Sequence, residues 1–270
     1  MKEIQKKFRL ANKILITLIK DRIHYPARLL ADTLSVIGRF VVLIILYAYV
    51  FKLNGGTINN ITFVVAAWSM FFYFSFIILG VRSIAKMIMH DVQTGNVEVL
   101  FSKPVHYLFY RFWWQIGMGF YSFVIITIVG ILGLYFTIGF PETFSTGIFL
   151  LTIPFVFLGG ILLSFIIYSI IGVLSFWMQD INPVFWIVDK TIMILGGSYL
   201  PVALFPPIMY KIALYSPFGA SQFLNHTVYT SWQSNWYQLM GIQALWIILL
   251  GLVLFFLFKN AKKKVSVNGG

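Results

Sequence analysis

Apolar and polar positions alternate in long blocks along the chain, with no short-period strand pattern. Six apolar runs stand at about 33–53, 61–81, 112–138, 147–178, 184–204 and 238–258. Crossing a bilayer as a helix takes roughly 20 predominantly apolar residues, so each run is predicted to span one. Two are irregular. The fourth is long enough to tilt or break, with Pro154 and Gly159-Gly160 inside it. The fifth carries Asp189-Lys190 near its start and meets Gly196-Gly197 and Pro201 near its end. Ahead of the first run, Ile4, Phe8, Ala11, Leu15 and Leu18 recur at helical spacing, and Lys2, Lys6, Arg9, Lys13 and Lys20 take another face. Residues 1–30 are thus predicted to form an amphipathic helix lying in the membrane interface. The apolar run that follows is too long for a cleaved signal peptide and lacks an A-x-A exit. Residues 205–236 are too polar and proline-rich to span. Ile208, Ile212, Leu214 and Phe218 nevertheless make that segment sticky, which predicts a re-entrant or interfacial helical pair.

Charge orients the runs. The chain is 60% hydrophobic and 10% charged, with a formal net charge of +12, whereas a soluble domain is about a quarter charged. A basic balance in a soluble protein would suggest nucleic acid, but so few charges cannot line a groove. They can mark the cytoplasmic side of a membrane protein. Eight Lys and Arg fall in residues 1–30, and Arg82, Lys86, Lys103 and Arg111 lie in the 82–111 connection. Lys259 and Lys262, Lys263 and Lys264 close the chain. The connections 54–60 and 139–146 hold none, and 205–236 holds only Lys211. Six spans with both termini cytoplasmic satisfy this distribution. Trp113-Trp114 would then sit at the inner interface, and Trp232, Trp236 and Tyr237 at the outer one. The expected organisation is all-α: an interfacial helix (1–30), a six-span domain (31–260) with a cytoplasmic segment at 83–106 and an external hairpin at 205–236, and a basic cytoplasmic tail (261–270).

The chemistry of soluble enzymes is missing. There is no G-x-x-x-x-G-K-[ST], G-x-G-x-x-G, H-E-x-x-H or G-x-S-x-G. Without cysteine there is no disulfide, thiolate nucleophile or Cys-ligated metal. His24, His90, His106 and His226 are scattered, and helical neighbours such as His90 and Asp91 point about 100° apart. Asn60-Ile-Thr and Asn225-His-Thr match the glycosylation acceptor, a pattern common by chance. Within the spans, Arg39 is the clear charge, with Asp32 two helical turns before it. It reads either as an interfacial anchor or as a contact for an anionic headgroup. Lys190 can snorkel from the inner end of the fifth run. An ion-coupled carrier usually needs carboxylates near the midplane, and no such relay is present.

The stretch HDVQTGNVEVLFSKP, residues 90–104, interrupts the greasiest part of the chain with acids, a Gly-Asn break, a short amphipathic run and a proline. Its pattern is acid-x-x-x-Gly-x-x-Glu-x-Leu-x-x-x-Pro, on Asp91, Gly95, Glu98, Leu100 and Pro104. Together with six spans behind a basic amphipathic helix, and a fifth span ending in small residues and prolines before an external hairpin with a Pro-Phe pair (Gly197, Pro201, Pro206 and Pro217-Phe218), it resembles the ABC-2 type permeases. These are the membrane subunits of ATP-binding-cassette exporters, and the resemblance, to a smaller bacterial subgroup, covers nearly the whole chain. It implies that the 2–3 connection is a coupling helix seated in a groove of an ABC ATPase subunit, through Asp91, Gly95, Glu98, Leu100, Phe101 and Pro104. Val97, Val99, Leu100 and Phe101 would be apolar anchors and Glu98 the charge that sets register.

The resemblance further implies a second permease, identical or paralogous, with a path for an amphipathic or lipid-like substrate at their interface. Arg39, Trp68, Phe72, Tyr73, Phe76 and Trp186 are its candidate lining; plain contact with acyl chains explains such a stripe equally well. Gly197, Pro201, Pro206, Pro217 and Phe218 would form an external gate. The chain itself would hold no cofactor, since ATP and Mg would bind the partner subunit. It would have no catalytic site and would reside in a bacterial cell membrane among lipids, binding no nucleic acid. The rival classes are an ion-coupled secondary transporter or channel, and an intramembrane enzyme.

Overall fold

The computed structural model describes the backbone of residues 2–24 and 26–268, with side chains at 7, 9–21, 23–24 and 34–264. Helices dominate, joined by short turns. They are α1 (Lys2–Ile23), α2 (Pro26–Leu53), α3 (Phe63–Ile78), α4 (Ser83–Gln93), α5 (Asn96–Phe101), α6 (Tyr107–Ile138), α7 (Gly147–Val173), α8 (Asn182–Leu195), α9 (Pro207–Tyr215), α10 (Pro217–Ala220) and α11 (Ser231–Asn268). A two-stranded hairpin, β1 (Thr57–Ile58) and β2 (Ile61–Thr62), links α2 to α3. Asn59 and Asn60 form its tip with positive φ, the conformation a two-residue hairpin turn requires and asparagine tolerates.

Among the described residues five helical stretches, against the six expected, are long and apolar enough to cross a membrane: Leu34–Leu53, Phe63–Gln93, Tyr107–Ile138, Gly147–Phe176 and Ser231–Lys264. The exception is the fifth apolar run, where α8 has only 14 residues and ends at Gly196-Gly197. Helical geometry gives it about 21 Å, short of the roughly 30 Å hydrocarbon core. The fourth run behaves better than its composition suggests, for α7 continues unbroken through Pro154 and Gly159-Gly160. Gly160 allows close approach instead: a Cβ there would lie 2.9 Å from the Ser221 carbonyl oxygen and 3.2 Å from Phe76.

Contacts between α7 and α11 set the topology. Trp232 Nε1 donates to Thr152 Oγ1 at 2.9 Å, near the start of both helices. Further along, Lys264 Nζ donates to the Phe176 carbonyl at 3.3 Å. The two helices therefore run side by side in the same direction, and the chain between them must return from the end of α7 to the start of α11. α8 and residues 196–206 make that return. The segment 207–230 then folds back along α11: Trp246 Nε1 donates to the Tyr215 carbonyl at 2.9 Å, and Gln243 Nε2 to that of Ala220 at 2.9 Å. Residues 232 and 246 are about 21 Å apart on one helix, so the fold-back reaches that far before Val228 and Tyr229 regain the starting end. There Thr143 Oγ1 donates to the Val228 carbonyl at 2.9 Å, and the Ser69 and Tyr229 hydroxyls meet at 2.6 Å. Asn225 is buried in the ascending limb with its amide on the Gly196 carbonyl, so this acceptor match cannot carry a glycan in the folded chain.

The core is strongly aromatic. Trp68, fully buried, packs edge-on against Phe71 and Phe144, with Phe72, Phe144 and Phe149 stacked beyond. Its indole N–H donates to the Gly139 carbonyl at 2.8 Å, tying α3 to the end of α6. Where lipid replaces water, helices associate through such packing and hydrogen bonds more than through the hydrophobic effect. α1 lies along α6, with Ala11 and Leu18 buried and Leu18 against Gly117. Arg9, Lys13 and Lys20 are exposed. The side chains of Lys2, Ile4, Lys6, Phe8 and Asp32 lie outside the described residues, as do residues 269–270 of the basic tail.

Candidate functional site

The polar interruption between the second and third apolar runs folds into an elbow built on α4 and α5. α4 buries Ile84, Ala85, Ile88 and Asp91. Gln93 Nε2 donates to the Gln179 carbonyl at 2.8 Å, fixing the far end of α4 to the turn after α7. Gly95 then reverses the chain at φ +72°, a left-handed conformation that costs glycine little. α5 is a turn and a half long, and the chain leaves helical geometry before Pro104.

Asp91 organises the elbow. It is 1% exposed, and its carboxylate gathers donors from α5 and α6. Arg111 holds both oxygens, Nε donating to Oδ2 at 2.7 Å and Nη2 to Oδ1. The Tyr107 hydroxyl donates to Oδ2 at 2.5 Å, and Asn96 Nδ2 to Oδ1 at 3.2 Å. Arg111 is itself buried. A bidentate guanidinium with two further donors is the arrangement that lets a carboxylate survive desolvation. α4, α5 and the first turn of α6 are thereby locked into one body.

The faces of α5 follow from that lock. Val97 and Leu100 are buried, which corrects their expected role as docking anchors: they fasten α5 to its own chain. Phe101 is half-buried, edge-on to Tyr107 and Phe258 and stacked on Phe176, with Lys262 Nζ 5.8 Å from its ring centre. Exposed on the outer side are Gly95, Glu98, Val99, Ser102, Lys103 and Pro104, and Val99 is 58% exposed despite being apolar. Of the expected coupling residues, Gly95, Glu98 and Pro104 are thus outward, Phe101 is in between, and Asp91 and Leu100 are internal.

The expected path residues divide as well. Trp68, Phe72, Tyr73 and Phe76 are buried against neighbouring helices, so their side chains form no outward stripe. Trp186 is 45% exposed, between Lys86 and Lys190. Arg39 is exposed, its Nη2 donating to Ser35 Oγ at 3.0 Å. Asp189, buried on α8, accepts from Arg82 Nη1 at 3.2 and 3.4 Å and from the Tyr168 hydroxyl at 2.9 Å, joining α8 to the α3–α4 bend and to α7. Of the expected gate residues, Gly197 and Pro201 are buried, Pro206 is exposed, and Pro217 and Phe218 are half-buried at the tip of the fold-back. Trp232 is 1% exposed and belongs to the core, which removes it from the expected aromatic belt; Trp236 and Tyr237 stay at the surface. No group of three or more metal-ligating side chains is present among the described residues.

Long apolar helices around a buried aromatic core, with ionic locks at one elbow and one bend, define a multi-pass helical membrane protein. The model of the ABC-2 family transporter proteins matches residues 33–269, and the chain belongs to that family, whose members are membrane components of transporters. No curated protein matches the chain.

Proposed function

We propose that the chain is the permease subunit of an ABC exporter. It moves an amphipathic or lipid-like substrate with energy from a separate ATPase subunit, which binds the ATP and Mg. The observation that carries this reading is the elbow. Asp91, Arg111, Tyr107 and Asn96 make it rigid, while Glu98 and Val99 stand exposed on the outer face of α5. A partner pressing on α5 therefore moves α4 and α6 with it, which is what a lever needs. On this reading 83–106 faces the cytoplasm, and α8 with residues 196–206 completes a sixth crossing. Residues 207–230 re-enter the membrane from outside, near Gly197, Pro201, Pro206, Pro217 and Phe218. Both termini are cytoplasmic and α1 lies at the inner interface. Two permeases, identical or paralogous, face each other, with Arg39 and Trp186 on lipid- or partner-facing surfaces.

The test is copurification. Glu98→Lys places a cation at the centre of the exposed face without touching the Asp91 lock. It should abolish recovery of the ATPase while the permease still inserts and elutes as a folded species. Unchanged recovery of the complex would show that the ATPase docks elsewhere.

A further inference from the structure

α2 packs on α3 through Phe40, Tyr47 and Phe51, and three cavities flank it. One of about 450 Å³ lies between α2, α3 and α8 and is bordered by Arg39, Tyr73, Arg82 and Ser198. A second, about 310 Å³, lies between α2, α3 and α6 and is bordered by Ser35, Arg39 and Gln115. A third, about 320 Å³, adjoins the second through Val36 and Ile126 and is walled by Phe40, Ile44 and Phe71. Its polar exceptions include Ser75, which is 2% exposed and whose hydroxyl has no hydrogen-bond partner.

The charges are unbalanced. Arg82 is paired with Asp189 through Nη1, yet its side chain stays 39% exposed, so part of the guanidinium still faces the first cavity. Arg39 has only Ser35 among the described residues. Two guanidiniums therefore border one recess, and only Arg82 is paired with a carboxylate, which leaves a net positive charge beside an apolar slot. An unpaired guanidinium inside a span is costly and is kept where it meets a partner or serves function. Arg39 is five residues into the apolar stretch that starts at Leu34, about 7.5 Å along the helix.

We propose that this recess is the substrate entry site and that the substrate is an amphiphile with an anionic head, a phosphate or carboxylate, drawn from the inner leaflet. The head sits between Arg39 and Arg82, where planar forks suit an oxyanion, and the tail follows α2 into the apolar cavity. The assignment rests on the permease reading and narrows its substrate class.

The test uses the purified full chain in nanodiscs of phosphatidylcholine. It is photolabelled with phosphatidylglycerol bearing a diazirine in mid-chain, or with the matching phosphatidylcholine probe, and labelled peptides are mapped. The anionic probe should label residues 36–45 and 71–75 about tenfold more strongly, the ratio expected from one charge-assisted hydrogen bond. Arg39→Gln should bring the two probes to parity, Arg39→Lys should keep a preference, and Lys259→Gln, which borders none of the three cavities, should change nothing. Because Arg82→Gln would strand Asp189, Arg82→Lys replaces it as the second variant, with a weaker preference expected. Equal labelling by the two probes, or a preference that survives Arg39→Gln, overturns the proposal. In the complex with its ATPase, MgATP should lower the labelling; label that ATP leaves in place marks a resident lipid and overturns the substrate assignment. Recovery of the ATPase, measured separately, reports on the permease reading alone.

Discussion

Asp91→Leu removes one half of a buried ion pair and strands the other. Arg111 is 8% exposed, and its guanidinium spends two bonds on the Asp91 carboxylate, so the variant leaves a desolvated cation without compensation. Breaking a buried pair from one side costs about 3–5 kcal/mol. At roughly 2–4 °C per kcal/mol for a chain of this size, the midpoint of thermal unfolding in detergent should fall by about 6–20 °C. Arg111→Met should be similarly harmful, because Asp91 would keep only Tyr107 and Asn96. The double variant, Asp91→Leu with Arg111→Met, should recover most of the loss, since apolar replacement of a whole buried pair is often neutral. Fluorescence-detected size-exclusion chromatography over a temperature series reads all three, and a coupling near zero in the double-mutant cycle would refute the lock. A rigid lever adds a second requirement: the double variant, stable but without the ionic clamp, should couple ATP hydrolysis less efficiently than the native chain.

Two further outcomes test the packing and the topology. Gly160→Leu drives a side chain into the Ser221 carbonyl, 2.9 Å from the position of its Cβ, and should destabilise by about 1–3 kcal/mol through overpacking; Gly241→Ala, which meets nothing within 4 Å, should be neutral or slightly stabilising in the same melting assay. Protease tags placed at the two ends should resist external protease on intact cells, and cleavage of either would overturn the six-crossing arrangement.

Much of the architecture was legible because hydropathy and charge are one-dimensional signals. Length and composition alone placed α2, α3, α6, α7 and α11, and the glycine and proline around α5 marked its ends. Three features were not legible, each for a physical reason. Asp91 pairs with Arg111, 20 residues on in another helix, and that separation becomes contact only once Gly95 and the turn before Tyr107 have folded the chain back. Tyrosine and arginine four residues apart on α6, one face of a helix, were the available signal. The shortness of α8 escaped because averaged hydropathy continues across Gly196-Gly197, where the backbone breaks. The aromatic stripe of α3 misled because lipid-facing and core-facing positions are equally apolar in a membrane. Nothing in the sequence separates Trp68, buried in the aromatic core, from a ring that faces acyl chains.

Because the chain has no native cysteine, one substitution can probe the elbow directly. Val99→Cys, on the exposed face of α5, should crosslink through a short bismaleimide to an ABC-type ATPase bearing a suitably placed cysteine. Leu53→Cys, at the opposite end of α2, should give no such adduct. Crosslinking of Val99→Cys to the ATPase, with one adduct identified by mass spectrometry, is the expected result. An intact ATPase complex in which Leu53→Cys crosslinks and Val99→Cys does not would contradict the assignment of α5 as the point where energy enters the membrane.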